Sequence, residues 1–184
     1  MKASGPWRTV ALKELTRELG NSGLELPHAS PSELPKPYQL ATGDVRIPRI
    51  ALPRGTLVVI GNLTLEEDID ARRVEGISNI IVTGDMQVRN AYVDAFLVVG
   101  GTLRAGTIVA DSNWDGGLFT GAIEAETIVL KDCALDFLGK KKLVVKRLAD
   151  LEKIKSAKKA VPELFAGGDE DEIDAYAFFA SLSR

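Results

Sequence analysis

The segment "DSNWDGG", Asp111–Gly117, holds the residue types that come closest to a functional site. Asp111, Asn113 and Asp115 alternate as at the start of a calcium-binding loop, but the bidentate glutamate that completes such a loop is missing. Trp114 stands among these polar residues, and tryptophan is enriched among interface hot spots. We therefore predict a partner-binding site at Asp111, Asn113, Trp114 and Asp115. The alternative is that Trp114 folds back and covers its neighbours.

The other residues with chemical potential form no catalytic pattern. His28 is the one histidine and has no acidic residue beside it. Cys133 is the one cysteine, which excludes an internal disulfide and a cysteine-built zinc site, and we interpret it as a small buried side chain. Acidic pairs such as Glu66/Glu67 and Glu124/Glu126 are more typical of a solvated surface than of acid–base chemistry. We expect no enzyme activity, no catalytic residue, no metal site and no cofactor.

Composition limits the classes of partner. The chain has 184 residues, 45% of them hydrophobic, which suits one domain with appendages. A net charge of −3 offers no general attraction to nucleic acid or to anionic lipid. The lysine-rich stretch after Gly139 has no interleaved aromatic residues for base stacking. No bilayer-spanning run or signal-peptide pattern is present. We expect a cytoplasmic protein whose partner is another protein.

Five segments share one pattern, a row of alternating apolar residues with a glycine at its centre. They are "LVVIGNLTL", "IIVTGDMQV", "LVVGGTLRA", "GLFTGAIEA" and, more weakly, "LDFLGKKKL". Their central glycines, 23, 17, 20 and 18 residues apart, are Gly61, Gly84, Gly101, Gly121 and Gly139. Alternation predicts strands, and repeats of this length are typical of solenoids. We predict that each glycine marks an inward-facing corner, where a Cβ would crowd the axis.

A second apolar pair follows three of these glycines at a constant distance, at Ala91/Val93, Ile108/Ala110 and Ile128/Leu130. Each repeat therefore predicts one coil of a β-helix, with two or three short strands joined by corners. An antiparallel meander is the alternative, but its hairpins would show two-residue turn signals between the strands. We expect a right-handed parallel β-helix of about four to five coils, since β-crossovers are generally right-handed.

The flanks divide the chain into three parts. Residues 1–54 are predicted to form a helix, within residues 7–19, and a proline-rich arm along the coils. Residues 55–145 are predicted to form the solenoid, with a bulging loop at residues 66–79. Residues 146–184 are predicted to form helices. Because the end coils of a solenoid expose their core, we expect the terminal helices to act as caps.

The repeats, the "DSNWDGG" segment and the "VPELF…DEDEID" tail together resemble a group of bacterial β-solenoid proteins. These are described as polymer-forming or bactofilin-like, and some are similar to immunity-type proteins found beside polymorphic toxins. The resemblance covers the chain from Thr56 onward. Related loops often read Tyr-Asn-His-Gly after an aspartate, so Asn113 and Gly116 or Gly117 match, while Trp114 and Asp115 stand at the place of the histidine. The resemblance implies a solenoid fold and provides no catalytic residue.

Two functions follow as expectations. The first is a protein-binding module, specifically an immunity-type protein that binds and neutralises a toxin. The second is a bactofilin-like scaffold whose coils stack end to end, which leaves a homo-oligomer open. In a parallel solenoid, outward residues of successive coils form ladders. These positions are Asn62 and Thr64, Asp85 and Gln87, Thr102 and Arg104, and Ala122 and Glu124.

Overall fold

The chain folds into a β-solenoid of about five turns, as the glycine repeat predicts. The computed structural model describes residues 6–27, 29–50, 55–71, 78–94, 96–111, 117–133, 135–140, 142–165 and 173–182. The strands are β1 (Arg8–Val10), β2 (Tyr38–Thr42), β3 (Val45–Ile47), β4 (Gly55–Ile60), β5 (Leu63–Leu65), β6 (Ile69–Ala71), β7 (Ser78–Val82), β8 (Met86–Gln87), β9 (Asn90–Val93), β10 (Phe96–Asp111), β11 (Gly117–Lys131), β12 (Leu135–Phe137) and β13 (Leu143–Asp150). The helices are α1 (Leu12–Ser22), α2 (Ile154–Ala160) and α3 (Ala175–Leu182), with 3₁₀ turns at Leu151–Lys153 and Pro162–Phe165.

The coils build three faces, and within the described residues the first coil contributes a strand to faces A and B only. Face A stacks β2, β4, β7, residues 96–99, residues 117–120 and β12. Face B stacks β3, β5, β8, residues 102–105, residues 122–125 and residues 143–145. Face C stacks β6, β9, residues 107–111, residues 127–131 and residues 147–150. All these pairings are parallel, which rules out the antiparallel meander.

The interior is built from stacked apolar rows. Alternation along each strand sends every second side chain inward, and the parallel register places equivalent residues of successive coils in contact. On face A the row Leu57, Ile80, Leu97 and Leu118 is at most 2% exposed. Thr120, a fully buried polar side chain of face A, donates a hydrogen bond of 2.7 Å from Oγ1 to the carbonyl of Ala122. The core is therefore continuous along the axis.

The central glycines stack at the corner between faces A and B. The N–H of Gly84 donates to the carbonyl of Gly61 at 2.9 Å, and that of Gly101 donates to Gly84 at 2.9 Å. A Cβ on Gly121 would lie 2.5 Å from the carbonyl oxygen of Gly100 and 2.9 Å from that of Gly101. The space that glycine leaves free is thus occupied by the backbone of the preceding corner. Gly139 differs, since a Cβ there would meet open space but its φ is +109°.

The solenoid is longer than the predicted range of 55–145. Its first coil begins at β2 and includes β3, both of which were predicted to belong to the proline-rich arm. At the other end β13 continues to Asp150 before the helices begin. The strand β6 also lies inside the predicted loop 66–79 and pairs with β9. The predicted start of the solenoid at residue 55 is therefore too late by one coil. Its predicted end at residue 145 falls inside β13, which continues to Asp150.

The terminal helices cover the sides of the solenoid, which corrects their predicted place at its ends. Leu15 and Leu19 of α1 pack on the outward residues of face A, which are Leu40, Val58, Ile81 and Val98. The residues Ala157, Val161, Ala175, Phe178 and Phe179 of the C-terminal part pack on the outward residues of face C, which are Tyr92, Val109, Val129 and Ala149. Strands buried on both sides need apolar residues in both directions, which explains runs such as "IIV" and "LVV".

We predict that Gly121→Ala lowers the free energy of unfolding by about 1–3 kcal/mol, because the added Cβ meets two backbone carbonyls that cannot rotate away. Urea denaturation measures the change. Gly20→Ala is the matched control, since Gly20 lies in α1 with no heavy atom within 4 Å of the added Cβ. It should gain about 0.5–1 kcal/mol from helix propensity. Equal stability of Gly121→Ala and the wild type would contradict corner-on-corner packing.

Candidate interaction surface

Face B differs from the other two faces on its outward side. Among the described residues, α1 packs on face A, α2 and α3 pack on face C, and no helix packs on face B. Its central outward row stacks in register and contains Arg46, Thr64, Gln87, Arg104, Glu124 and Val144. The predicted outward ladders therefore form a continuous surface. Within the described ranges, the outer side of face B is therefore not covered by a helix.

Alternating charges hold the side chains of face B in an ion-pair ladder. Arg104 donates from Nη1 to Asp85 Oδ2 at 2.8 Å and from Nε to Glu124 Oε2 at 3.1 Å. Lys142 Nζ lies 3.9 Å from Glu124 Oε1. The hydrogen bond from Arg104, followed by one from the Thr102 N–H, holds the pKa of Asp85 below its usual range. Because all four side chains are exposed by a third or more, these pairs order the surface and add little stability.

A groove runs along the edge of face B next to face C. It encloses about 480 Å³ and is open to solvent. Its walls carry the charged side chains Arg104, Glu124 and Lys146, and Gly106 and Ala125 contribute small residues. Lys146 Nζ is 2.7 Å from Glu126 Oε1 across the groove rim. The groove therefore combines a small-residue floor with paired charges of both signs.

Short polar side chains connect the coils at the corner between faces A and B. Asn62 donates from Nδ2 to Asp44 Oδ1 at 2.8 Å, and its own Oδ1 accepts from the N–H of Asp85 at 2.7 Å. Asp85 Oδ1 in turn accepts from the N–H of Thr102 at 2.8 Å. Each side chain satisfies a backbone N–H of the next coil that the corner leaves unpaired. Face B is thus anchored along the edge that borders the glycine corners.

Asp111, the first residue of the predicted site, is buried on the outward side of face C. It is 7% exposed, and its Oδ2 accepts a hydrogen bond of 2.8 Å from the hydroxyl of Tyr92. Lys131 Nζ is 3.5 Å from the same oxygen. Oδ1 is buried and has no hydrogen-bond partner within the described part of the chain. Asp111 therefore anchors the end of a face C strand.

The other predicted site residues, Asn113, Trp114 and Asp115, lie outside the described residues. Their role in partner binding stays a prediction. The described residues on either side, Asp111 and Gly117, end a strand of face C and begin a strand of face A. Asp111 and Gly117 therefore lie at the corner between faces C and A, opposite face B.

The other residues that the sequence suggested for chemistry lie in ordinary surroundings or outside the described residues. Burial raises the pKa of the Cys133 thiol to about 11, and the carboxylates of Asp136, Asp111 and Asp94 add to the effect. The thiol is therefore protonated at neutral pH. His28 lies outside the described residues. Glu124 and Glu126 each pair with a cation, as expected for a solvated strand.

Comparison with known protein families, with curated proteins and with solved structures found no match. Within the described ranges, no helix has both the length and the apolar character needed to cross a bilayer. The same residues contain no group of three or more His, Cys, Asp or Glu side chains arranged to hold a metal ion.

Sequence reasoning identified the outward rows of face B but missed that the described helices pack on faces A and C and not on face B. The first-coil residues Asp44 and Arg46 were also missed, because they lie among prolines. The signal was present, since Gly43 precedes Gly61 by 18 residues and is followed by the alternating pattern "DVRI". The groove depends on the corner between faces B and C, which no sequence pattern marks.

We predict a coupled stability effect at Tyr92 and Asp111. Asp111→Ala should cost about 1–3 kcal/mol, because it leaves the Tyr92 hydroxyl buried without an acceptor. In a Tyr92→Phe background the same substitution should cost clearly less, since no hydroxyl is left to satisfy. Thermal or urea unfolding of the four proteins gives the coupling energy. Strictly additive losses would contradict the anchoring role of Asp111.

Proposed function

We propose that the chain is a non-enzymatic protein-binding solenoid that recognises its partner through the outer side of face B. The single observation that supports this function is the unequal covering of the three faces. Helices of the chain itself occupy the outer sides of faces A and C, while the ordered ladder of face B is left accessible. A stacked, polar surface of this kind suits a partner of complementary charge.

The chemistry of face B indicates what it would recognise. Asp85, Arg104, Glu124 and Lys142 alternate in sign, so the surface has no strong net charge and would match a partner with an inverse alternation. The groove at residues 104–106 and 124–126 would accept a protruding side chain of that partner. Binding of this type depends on position rather than on total charge and should weaken with salt.

The specific form that we propose is a cytoplasmic immunity-type protein that neutralises a toxin, with right-handed coils as the sequence predicts. The loop at Asn113, Trp114 and Asp115 is proposed as a separate candidate contact, because its described neighbours Asp111 and Gly117 lie at the corner between faces C and A. A neutralising protein needs an exposed surface that complements its target, and the ion-pair ladder of face B is such a surface. Co-expression with the product of a neighbouring toxin gene tests this form directly.

The second candidate function is a self-assembling scaffold. It is favoured by one observation: among the described residues, β12 and β13 at the last coil pair only with β11. Against it, β1 lies antiparallel along β2 and occupies the first edge of face A. Light scattering over a range of concentrations separates the two functions. A scaffold would grow with concentration, and a binding module would keep one mass.

We predict that the double variant Thr64→Lys/Gln87→Lys loses its native partner. Both positions point outward on face B, and the added lysines change its shape and sign without removing an ion pair of the ladder. In pull-downs from the native lysate, the yield of specific partners should fall about tenfold. Lys155→Glu, an exposed change on α2, is the matched control and should retain them.

Circular dichroism and thermal melting establish that both variants are folded before the comparison. Full retention of every captured protein by Thr64→Lys/Gln87→Lys would contradict recognition by face B. If Trp114→Ala loses these proteins and Thr64→Lys/Gln87→Lys retains them, the interface lies at the predicted loop and not on face B.

A further inference from the structure

The two ends of the solenoid are built differently. At the first coil, β1 pairs antiparallel with β2, and Trp7, Ile47 and Ile50 pack against the core. At the last coil, β12 and β13 pair with β11, and within the described residues no strand pairs with their other edge. At the first end, β1 therefore closes the edge of face A, while β3 and β6 pair on one side only within the described residues. At the last end, β12 and β13 both have a free edge within the same residues.

Core side chains are accessible at this free edge. Leu148 continues the inward row of Ile128, yet it is 41% exposed while Ile128 is 0% exposed. Leu143 and Val145 continue the inward rows of face B and are partly buried against the core. Val144, on the outward side of the same strand, is 57% exposed. The edge strand β13 thus exposes apolar side chains on both of its sides.

The hydrogen-bond pattern identifies which peptide groups are free. The N–H of Ile123 on β11 donates to the carbonyl of Lys142 at 2.9 Å. Since peptide groups alternate in direction along a strand, those of Lys142 and Val144 face β11. The N–H and C=O groups of Leu143 and Val145 therefore face the open edge. They are placed to form a ladder with one more strand.

The side chains around this edge are basic. Lys140, Lys142, Lys146 and Arg147 are all exposed. Lys142 and Lys146 pair with Glu124 and Glu126, which belong to the preceding coil, so the cations form the outermost layer. Arg147 pairs with Glu163 beyond α2.

A second copy of this chain fits the edge poorly. Edge-to-edge pairing of two β13 strands would place lysine and arginine opposite lysine and arginine, which is unfavourable. In head-to-tail stacking, the last coil of one copy would contact the first coil of the next. There it would meet β1 on face A and the exposed Arg46 on face B. Both arrangements lack the charge complementarity that the edge requires.

We propose that β13 binds an extended acidic segment of a partner protein by strand addition. The main chain of that segment pairs with Leu143 and Val145. Its inward residues are apolar and cover the exposed core, and its outward residues are carboxylates that face Lys142 and Lys146. The recognised pattern is thus an alternation of apolar and acidic residues. This site is the free edge of the last face B strand, and it shares Lys142 and Lys146 with the rim of that face. The pairing with Leu143 and Val145 does not use Thr64 or Gln87.

The test is the binding of short fluorescein-labelled peptides, measured by fluorescence anisotropy at low salt. One peptide alternates Glu with Val, a second alternates Lys with Val, and a third alternates Gln with Val. The wild type should bind the Glu peptide at least about tenfold more tightly than the Lys peptide, with the Gln peptide between them. Absence of binding to the Glu peptide, or equal binding of all three, would overturn the proposal.

Two variants separate the main-chain contribution from the charge contribution. Val145→Pro removes a free N–H without touching the ladder to β11, so it should weaken Glu-peptide binding about tenfold. Val145→Ala, the matched control, keeps the N–H and should stay within about threefold. Lys142→Glu/Lys146→Glu should reverse the preference towards the Lys peptide. Equal binding by Val145→Pro and Val145→Ala would contradict strand addition.

Controls separate the result of the peptide test from loss of folding and from the proposed recognition by Thr64 and Gln87 on face B. If Val145→Pro does not fold by circular dichroism, the reversal of preference in Lys142→Glu/Lys146→Glu decides the test. Thr64→Lys/Gln87→Lys should bind the Glu peptide as the wild type does, so failure of the face B function leaves this test intact. A dimer of the wild type that Val145→Pro dissolves would assign the edge to a second copy and overturn the proposal.

Discussion

The close approach of one corner to the next is the constraint on which the rest of the structure depends. Neighbouring strands are separated by about 4.8 Å, so each corner must fit on the backbone of the corner before it. Gly84, Gly101 and Gly121 allow this approach because any Cβ would meet a carbonyl or side chain of the preceding coil. Asn62 and Asp85 then satisfy the backbone N–H groups next to these glycines. The parallel register of all three faces follows from this alignment.

The same register determines where the chain can meet a partner. Once equivalent residues stack, each face presents one kind of outward side chain along its whole length. Faces A and C present apolar rows, which bury against α1 and against α2 and α3. Face B presents Arg104, Glu124 and other polar residues, which need no cover. The stack must also end somewhere, and at β13 its last edge leaves peptide groups and apolar side chains accessible.

The sequence was sufficient to predict the solenoid because glycine spacing and strand alternation are local signals. It predicted the interior rows and the outward residues of face B, such as Gln87 and Arg104. The two ends of the solenoid were harder to predict from the sequence. Gly43 continues the repeat inside a proline-rich stretch, and Leu148 fits the period of a helix as well as that of a strand. Amphipathic patterns in the flanks predicted helices but could not indicate what they would cover. The burial of Asp111 depends on Tyr92 in the preceding coil, which no local pattern reveals.

The central claim is that coils stack in one register and end at β13 in an open strand edge. Residue-resolved amide hydrogen exchange tests it most directly, because protection follows the hydrogen-bond pattern. We expect the amides of β10 and β11 to be the most protected, and the Val145 amide on β13 to exchange much faster than its neighbour Val144, whose N–H faces β11. Equal, strong protection of Val144 and Val145 in the isolated chain would contradict the open edge. Weak protection throughout β10 would contradict the stacked register itself.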